Sequence, residues 1–257
     1  MPTIHVCSRK RYAAHVLLAL MVIGMAGCAS PDTADTLSGR VGAPLRLARA
    51  AGESGDPQAG VPLYRRLAAN PSTDAQTRVA AADGLLSAGL ASEAIDIYAR
   101  VGSGGAKTGA LLGLVRAHLA LGDAATALQF ADQAVALAPG DQRTLVNRGV
   151  ALDSLQRHGE AQAAYRAALQ IAPGSVSARN NLALSLALSD QFDQGIALLE
   201  PLARAPSATP RTRQNLALIY GLSGDGPRAA ALSRMDLDAD RTQANAAFFT
   251  RVRGIAR

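Results

Sequence analysis

The sequence comprises 257 residues, 49% hydrophobic, 18% charged and 4% aromatic, with two Cys, no Trp and a formal charge of +6. Two cysteines do not make a disulfide-stapled scaffold, and no Cys, His and carboxylate cluster has metal-ligand spacing. The charge comes almost wholly from dispersed Arg with no block of five like charges, which argues against a nucleic-acid surface.

The chain opens with Arg9, Lys10 and Arg11, then the apolar run AAHVLLALMVIGMAG, then Cys28. A basic stretch, a short apolar core and small residues before a cut predict a secretory signal peptide over residues 1–27. The run is short for a membrane span, which needs about 20 residues. An uncleaved anchor helix, with His15 as its awkward polar residue, is the alternative. Met25-Ala26-Gly27-Cys28 resembles the lipobox of bacterial lipoproteins, with Met25 where Leu is usual. That resemblance implies cleavage before Cys28 and transfer of a diacylglycerol to its thiol. Ala29 is not the Asp of an inner-membrane retention signal, so the implied address is the periplasmic face of the outer membrane. More than one acyl chain is needed for stable anchoring, at about 0.8 kcal/mol per buried CH₂. Loss of residues 1–27, which carry three basic and no acidic residues, would lower the charge from +6 to +3. Residues 28–40, rich in Ser, Thr, Asp and Pro, read as a disordered tether with a reach of roughly 20 Å.

From residue 41 to about 240, Ala/Leu-rich segments of about a dozen residues alternate with Gly, Asp and Pro breaks, and no alternating run is long enough for a strand. The tetrapeptide NLAL occurs at Asn181–Leu184 and again 34 residues later at Asn215–Leu218. Aligned at that interval, the first helix of each predicted hairpin has a small residue at Ala48, Ala82, Val115, Gly149, Ala183 and Ala217. The second helix has one at Gly60, Ala94, Ala127, Ala161, Gly195 and Ala229. Four residues later stand Tyr64, Tyr98, Tyr165 and Leu199, with Ala131 and Ser233 as exceptions. Pro71, Pro139, Pro173 and Pro206 follow the second helices. These positions resemble the tetratricopeptide repeat, in which small residues let paired helices approach, an aromatic fills the gap between hairpins and Pro stops the second helix. The match is fullest over RTLVNRGVALDSLQRHGEAQAAYRAALQIAPG. It implies an all-α, right-handed superhelical solenoid of about six hairpins, with the tyrosines as core wedges; an ordinary helical bundle is the bland alternative. Residues 241–257 read as a closing helix with Asp240 as N-cap, covering the last apolar face.

No catalytic constellation stands out. His5 and His15 lie in the signal, while His118 and His158 stand alone on repeat helices. Gly102-Ser103-Gly104-Gly105 lacks the preceding strand and the Lys-Ser/Thr of a phosphate loop and reads as a connection. The expectation is no enzyme, no cofactor, no metal and no small-molecule substrate.

The repeat family binds partners on the face lined by the first helices, where positions two and six of the repeat carry contacts. Position six reads Asn147, Asn181 and Asn215, and position two reads Arg143, Ser177 and Arg211. Asn can satisfy a peptide's N–H and C=O together and Arg can grip a carboxylate, a pattern similar to the family's carboxylate clamp. The alternative is that these Asn bond neighbouring helices.

The lipobox, the tether, the repeats and the stretch ARNNLALSLALSDQFDQGIALLEPLARAPSATPRTRQNLALIYGLSGD together resemble the TadD-like lipoproteins of tight-adherence (Flp) pilus assembly. The resemblance implies an outer-membrane-anchored, pilotin-like assembly factor whose partner is the pilus secretin or another assembly protein. Alternatives are another lipid-anchored repeat adaptor, such as a type IV pilus pilotin or an outer-membrane-protein assembly subunit, and a regulator docking a cell-wall hydrolase.

Overall fold

A computed structural model describes residues 42–53, 56 and 58–256. The predicted signal peptide, the tether and Cys28 lie outside the described residues. Thirteen helices are present among the described residues. The first six are α1 (Ala43–Glu53), α2 (Val61–Ala69), α3 (Ala75–Ser87), α4 (Ala91–Ala99), α5 (Lys107–Ala120) and α6 (Ala124–Leu137). They form one compact unit ending at Pro139. A second unit starts at Gly140 and holds α7 (Gln142–Ser154), α8 (His158–Ile171), α9 (Val176–Leu188), α10 (Phe192–Arg204), α11 (Pro210–Ser223), α12 (Gly226–Ser233) and α13 (Ala239–Ala256). Each unit is three antiparallel hairpins, α1/α2 through α11/α12, and the second carries α13 as an added helix.

Local chemistry sets the helix ends. Asp74, Asp123, Asp141, Ser175, Thr209 and Asp225 each cap a helix by accepting a backbone N–H from its first turn. Helices α2, α6, α8 and α10 each stop two residues before Pro71, Pro139, Pro173 and Pro206, as expected where the residue preceding Pro is pushed out of helical geometry. Pro201 is tolerated inside α10 near its end. The turn from first to second helix uses a left-handed residue at Gly89, Gly122, Gln156, Asp190 and Gly224, again at an interval of 33 or 34. The closing helix begins earlier than the sequence suggested: its first-turn N–H of Arg241 is accepted by Asp238, not by Asp240.

The paired small residues are in contact. An added Cβ at Gly60 would lie 2.5 Å from the Ala48 carbonyl oxygen, and one at Gly195 2.8 Å from that of Ala183. Ala94, Ala127, Ala161 and Ala229 at the same repeat position are buried. Only small side chains permit this helix spacing.

The tyrosines fill the joints. The Tyr64 ring lies against Gly84 and the Tyr98 ring against Gly113, each on the first helix of the following hairpin. Tyr165 packs on Gly149 of its own hairpin. In the third hairpin, where Ala131 stands at the wedge position, Phe130 one residue earlier meets the His118 ring at 5.4 Å between centroids. The sixth hairpin has Ser233 there, and Phe249 of α13 supplies the missing ring by packing on Gly221. That closure leaves Ser233 Oγ and Thr242 Oγ1 buried with no hydrogen-bond partner among the described residues.

Candidate peptide-binding face

In the second unit the first helices α7, α9 and α11 pack side by side, more closely than their second helices do, so they line the inner surface of that unit. Helix α9 is the middle one, and its residues from Asn180 to Ala187 are all buried. The three position-six asparagines therefore occupy different environments. Asn147 Nδ2 donates at 2.9 Å to the Arg143 carbonyl one turn earlier on its own helix. Asn215 Nδ2 donates at 2.9 Å to Asn180 Oδ1 on α9, and Asn180 Nδ2 donates to the Val176 carbonyl and, at 3.3 Å, to Thr212 Oγ1. Asn215 thus ties α11 to α9. Asn181 is only 8% exposed, but its side-chain amide is not among the buried polar groups that lack a partner.

The arginines of the expected site stand at the ends of the same helices. Arg143 is exposed and held by Asp141, its Nε 3.0 Å and Nη2 2.6 Å from Oδ2. Against the cost of burial, the side chain and backbone N–H of Arg143 keep the Asp141 carboxyl below the usual range. Arg211 is exposed in the first turn of α11 and Ser177 in that of α9. Arg143, Asn147, Asn181, Arg211 and Asn215 thus stand on the three neighbouring first helices of the second unit. Asn180 is the residue the sequence reading missed. Its one signal was the doubled Asn in RNNLAL, where the later repeat has Gln214 before Asn215.

The two histidines are not alone, which corrects the sequence reading. His118 Nδ1 lies 3.3 Å from Asp123 Oδ2, and His158 Nδ1 lies 2.8 Å from Asp153 Oδ1. Asp153 is wholly buried; Ser185 Oγ donates to its Oδ1 at 2.7 Å and Tyr165 Oη to its Oδ2 at 2.9 Å. Burial pushes the Asp153 carboxyl up, against the opposing effect of His158, Ser185 and Tyr165. Burial and the adjacent carboxylate push the Tyr165 hydroxyl well above its usual value. Among the described residues no group of three or more His, Cys, Asp or Glu is placed to hold a metal ion, and no helix is long and apolar enough to cross a membrane.

The family model of the tetratricopeptide repeat matches residues 142–175, the α7/α8 hairpin. No curated protein matches the chain. Among solved structures, a thermophilic tetratricopeptide-repeat protein of Thermus thermophilus is 22% identical, with 70% of this chain and 98% of that chain covered at a TM-score of 0.59. A tetratricopeptide-repeat protein of Parabacteroides merdae is 18% identical, with coverage of 83% and 92% and a TM-score of 0.57. A chain of the APC/C hetero-tetramer Cut9–Hcn1 is 15% identical at a TM-score of 0.62, covering 98% of this chain and 48% of that one. Together with the hairpin geometry, these likenesses make the fold that of an all-α tetratricopeptide-repeat solenoid.

Proposed function

We propose that the protein is a lipid-anchored scaffold of tight-adherence (Flp) pilus assembly at the periplasmic face of the outer membrane, holding an extended segment of the secretin or another assembly protein. The segment lies on the inner surface of α7, α9 and α11. The observation that supports this reading is the row of polar side chains on the first helices α7, α9 and α11, with Asn181 on the middle one. A peptide backbone laid across α9 offers an N–H and a C=O that the Asn181 amide can bond. Cys28, acylated, would keep the solenoid at the membrane where such a partner assembles, and binding alone suffices for the role.

Pull-down from membrane fractions tests the reading with wild type, Asn181→Ala, Asn215→Ala and Cys28→Ser. Wild type should recover the secretin or another pilus protein, and Asn181→Ala should lose it while keeping its helical circular dichroism. Asn215→Ala, whose bond is structural, should lose part of its stability before its partner. Cys28→Ser should leave the membrane fraction. Equal recovery by Asn181→Ala would remove that residue from the site, and absence of any pilus protein from the wild-type sample would overturn the assignment.

A further inference from the structure

The two units close a joint between successive hairpins in the same way but with different charge chemistry. At the joint of α3, α4 and α5, Asp83 Oδ1 accepts from Tyr98 Oη at 2.5 Å and from Arg116 Nη2 at 2.5 Å. The carboxylate there faces a cation that never titrates in a protein. At the joint of α7, α8 and α9, Asp153 accepts from Tyr165, from Ser185 on α9 and from His158, with no Arg or Lys in the cluster. Ser185 Oγ brings α9 to that carboxylate, and Gln162 of α8 adds bonds to the Ser185 carbonyl and Ser189 Oγ at 3.3 and 3.1 Å.

The charge balance of this second joint changes by one with one proton. With His158 neutral and Asp153 ionised, the closed joint buries a net negative charge; with one proton more, the pair is neutral overall wherever that proton sits. Burying an uncompensated charge is costly, whereas the opened joint hydrates it. Burial therefore raises the proton affinity of the Asp153 carboxyl in the closed joint, and by linkage the proton favours closure. The His158 side chain is 17% exposed and Asp153 not at all, so the imidazole is the contact of the pair with solvent.

We propose that the His158–Asp153 pair is a proton-binding site whose occupancy sets how firmly the fifth hairpin is held against the fourth. The other charged residues of the three helices act elsewhere. Arg143 bonds to Asp141, Arg157 at the start of α8 to Glu160, and Arg179 to the Pro173 carbonyl. Arg148 acts on Glu160, and Arg166 is exposed. Tyr165 is the remaining titratable group at the pair and keeps its proton. Because α9 also carries Asn181, the same proton would tune the face described above, but the joint itself needs no ligand.

Amide hydrogen exchange of the full chain tests this between pH 5.5 and 8, corrected for intrinsic exchange. In wild type, protection of α9 should fall as pH rises relative to that of α3, whose Asp83 faces Arg116. One proton limits the fall to about tenfold per pH unit. Asp153→Asn, which keeps the shape and cannot titrate, should bring the pH trend of α9 level with that of α3. His158→Arg supplies a permanent cation and should do the same, which keeps the test available should Asp153→Asn fail to fold. Parallel trends for α9 and α3 in wild type, or a trend that survives His158→Arg, would overturn the proposal. These outcomes do not depend on whether a pilus protein is the partner.

Discussion

Replacing Gly149 by Ala should destabilise the second unit, and the geometry gives the size. The new Cβ would lie 2.4 Å from Tyr165 Cε1, 2.7 Å from Cζ and 2.8 Å from Cδ1, far inside van der Waals contact. The ring cannot swing aside cheaply, because it is fully buried and its hydroxyl is bonded to Asp153 at 2.9 Å. Overpacking a core costs about 1–3 kcal/mol, and three overlapped ring atoms put this site at the upper end. Ala in place of Gly inside a helix returns about 1 kcal/mol, so the net loss is about 2 kcal/mol. Gly159, on the neighbouring helix α8, has nothing within 4 Å of its hypothetical Cβ, and Gly159→Ala should gain up to about 1 kcal/mol. Urea unfolding followed by circular dichroism, with hydrogen exchange of α7–α9 to localise the effect, separates the pair. Tyr165→Ala alone should cost about 3–5 kcal/mol by leaving a cavity. Combined with Gly149→Ala it should cost less than the sum, because the methyl group then has room. Equal stability of Gly149→Ala and Gly159→Ala would refute the placement of the ring against Gly149.

Two further outcomes follow from the turns and the carboxylates. Gln156 has φ of +61° at a turn position where Gly122 stands in the preceding repeat and Gly224 two repeats later. A left-handed L-residue costs about 1–2 kcal/mol and Gly in its place costs about 0.5–1 kcal/mol of chain entropy, so Gln156→Gly should raise stability by up to about 1 kcal/mol. An unchanged or lower unfolding midpoint would show that the turn carries no strain. The Arg213 and Gln214 side chains hold the Asp236 carboxyl below its usual range, against a smaller effect of burial, and Thr77 does the same for Asp74. A depressed folded value means stability that is complete above the unfolded value of about 3.9 and is lost as pH falls through the lower folded one. Asp153 has the opposite sign: its raised value favours the folded form at low pH, and that contribution is lost as pH rises through it. Asp236→Asn should therefore lose less stability than wild type on acidification below pH 4, measured by thermal unfolding. Superimposable acid limbs would remove Asp236 from the balance.

The repeat was legible because its spacing records a contact that every hairpin must make. Where two helix axes approach until a carbonyl oxygen sits 2.5 or 2.8 Å from the place of a Cβ, Gly is required, the other hairpins place Ala there, and that restriction to the smallest residues appears in the sequence at a fixed interval. The left-handed turn position was less visible, because Gln156 and Asp190 break the Gly pattern while keeping its geometry. The candidate site was legible as a face but not as a set of bonds. NLAL is spelled identically at Asn181 and Asn215, yet the bond each Asn makes depends on position five of the repeat on the neighbouring helix. Asn180 supplies an acceptor to Asn215, whereas Val146, the residue of the same rank on α7, offers none to Asn181.

The buried carboxylate was least legible of all, for a physical reason. An Asp in GVALDSL reads as an error on an apolar face until folding brings His158, Tyr165 and Ser185 to it from 5, 12 and 32 residues away. Such a group is tolerated only as a fully bonded cluster, since a partly satisfied one is worse than an apolar core. The same requirement confines it to one joint: no other hairpin places a hydroxyl, an imidazole and a phenol around one carboxylate among the described residues. Periodic constraints such as helix spacing are written repeatedly and can be read from one sequence. A single cluster that departs from the period is written once, and it is there that this solenoid has chemistry of its own.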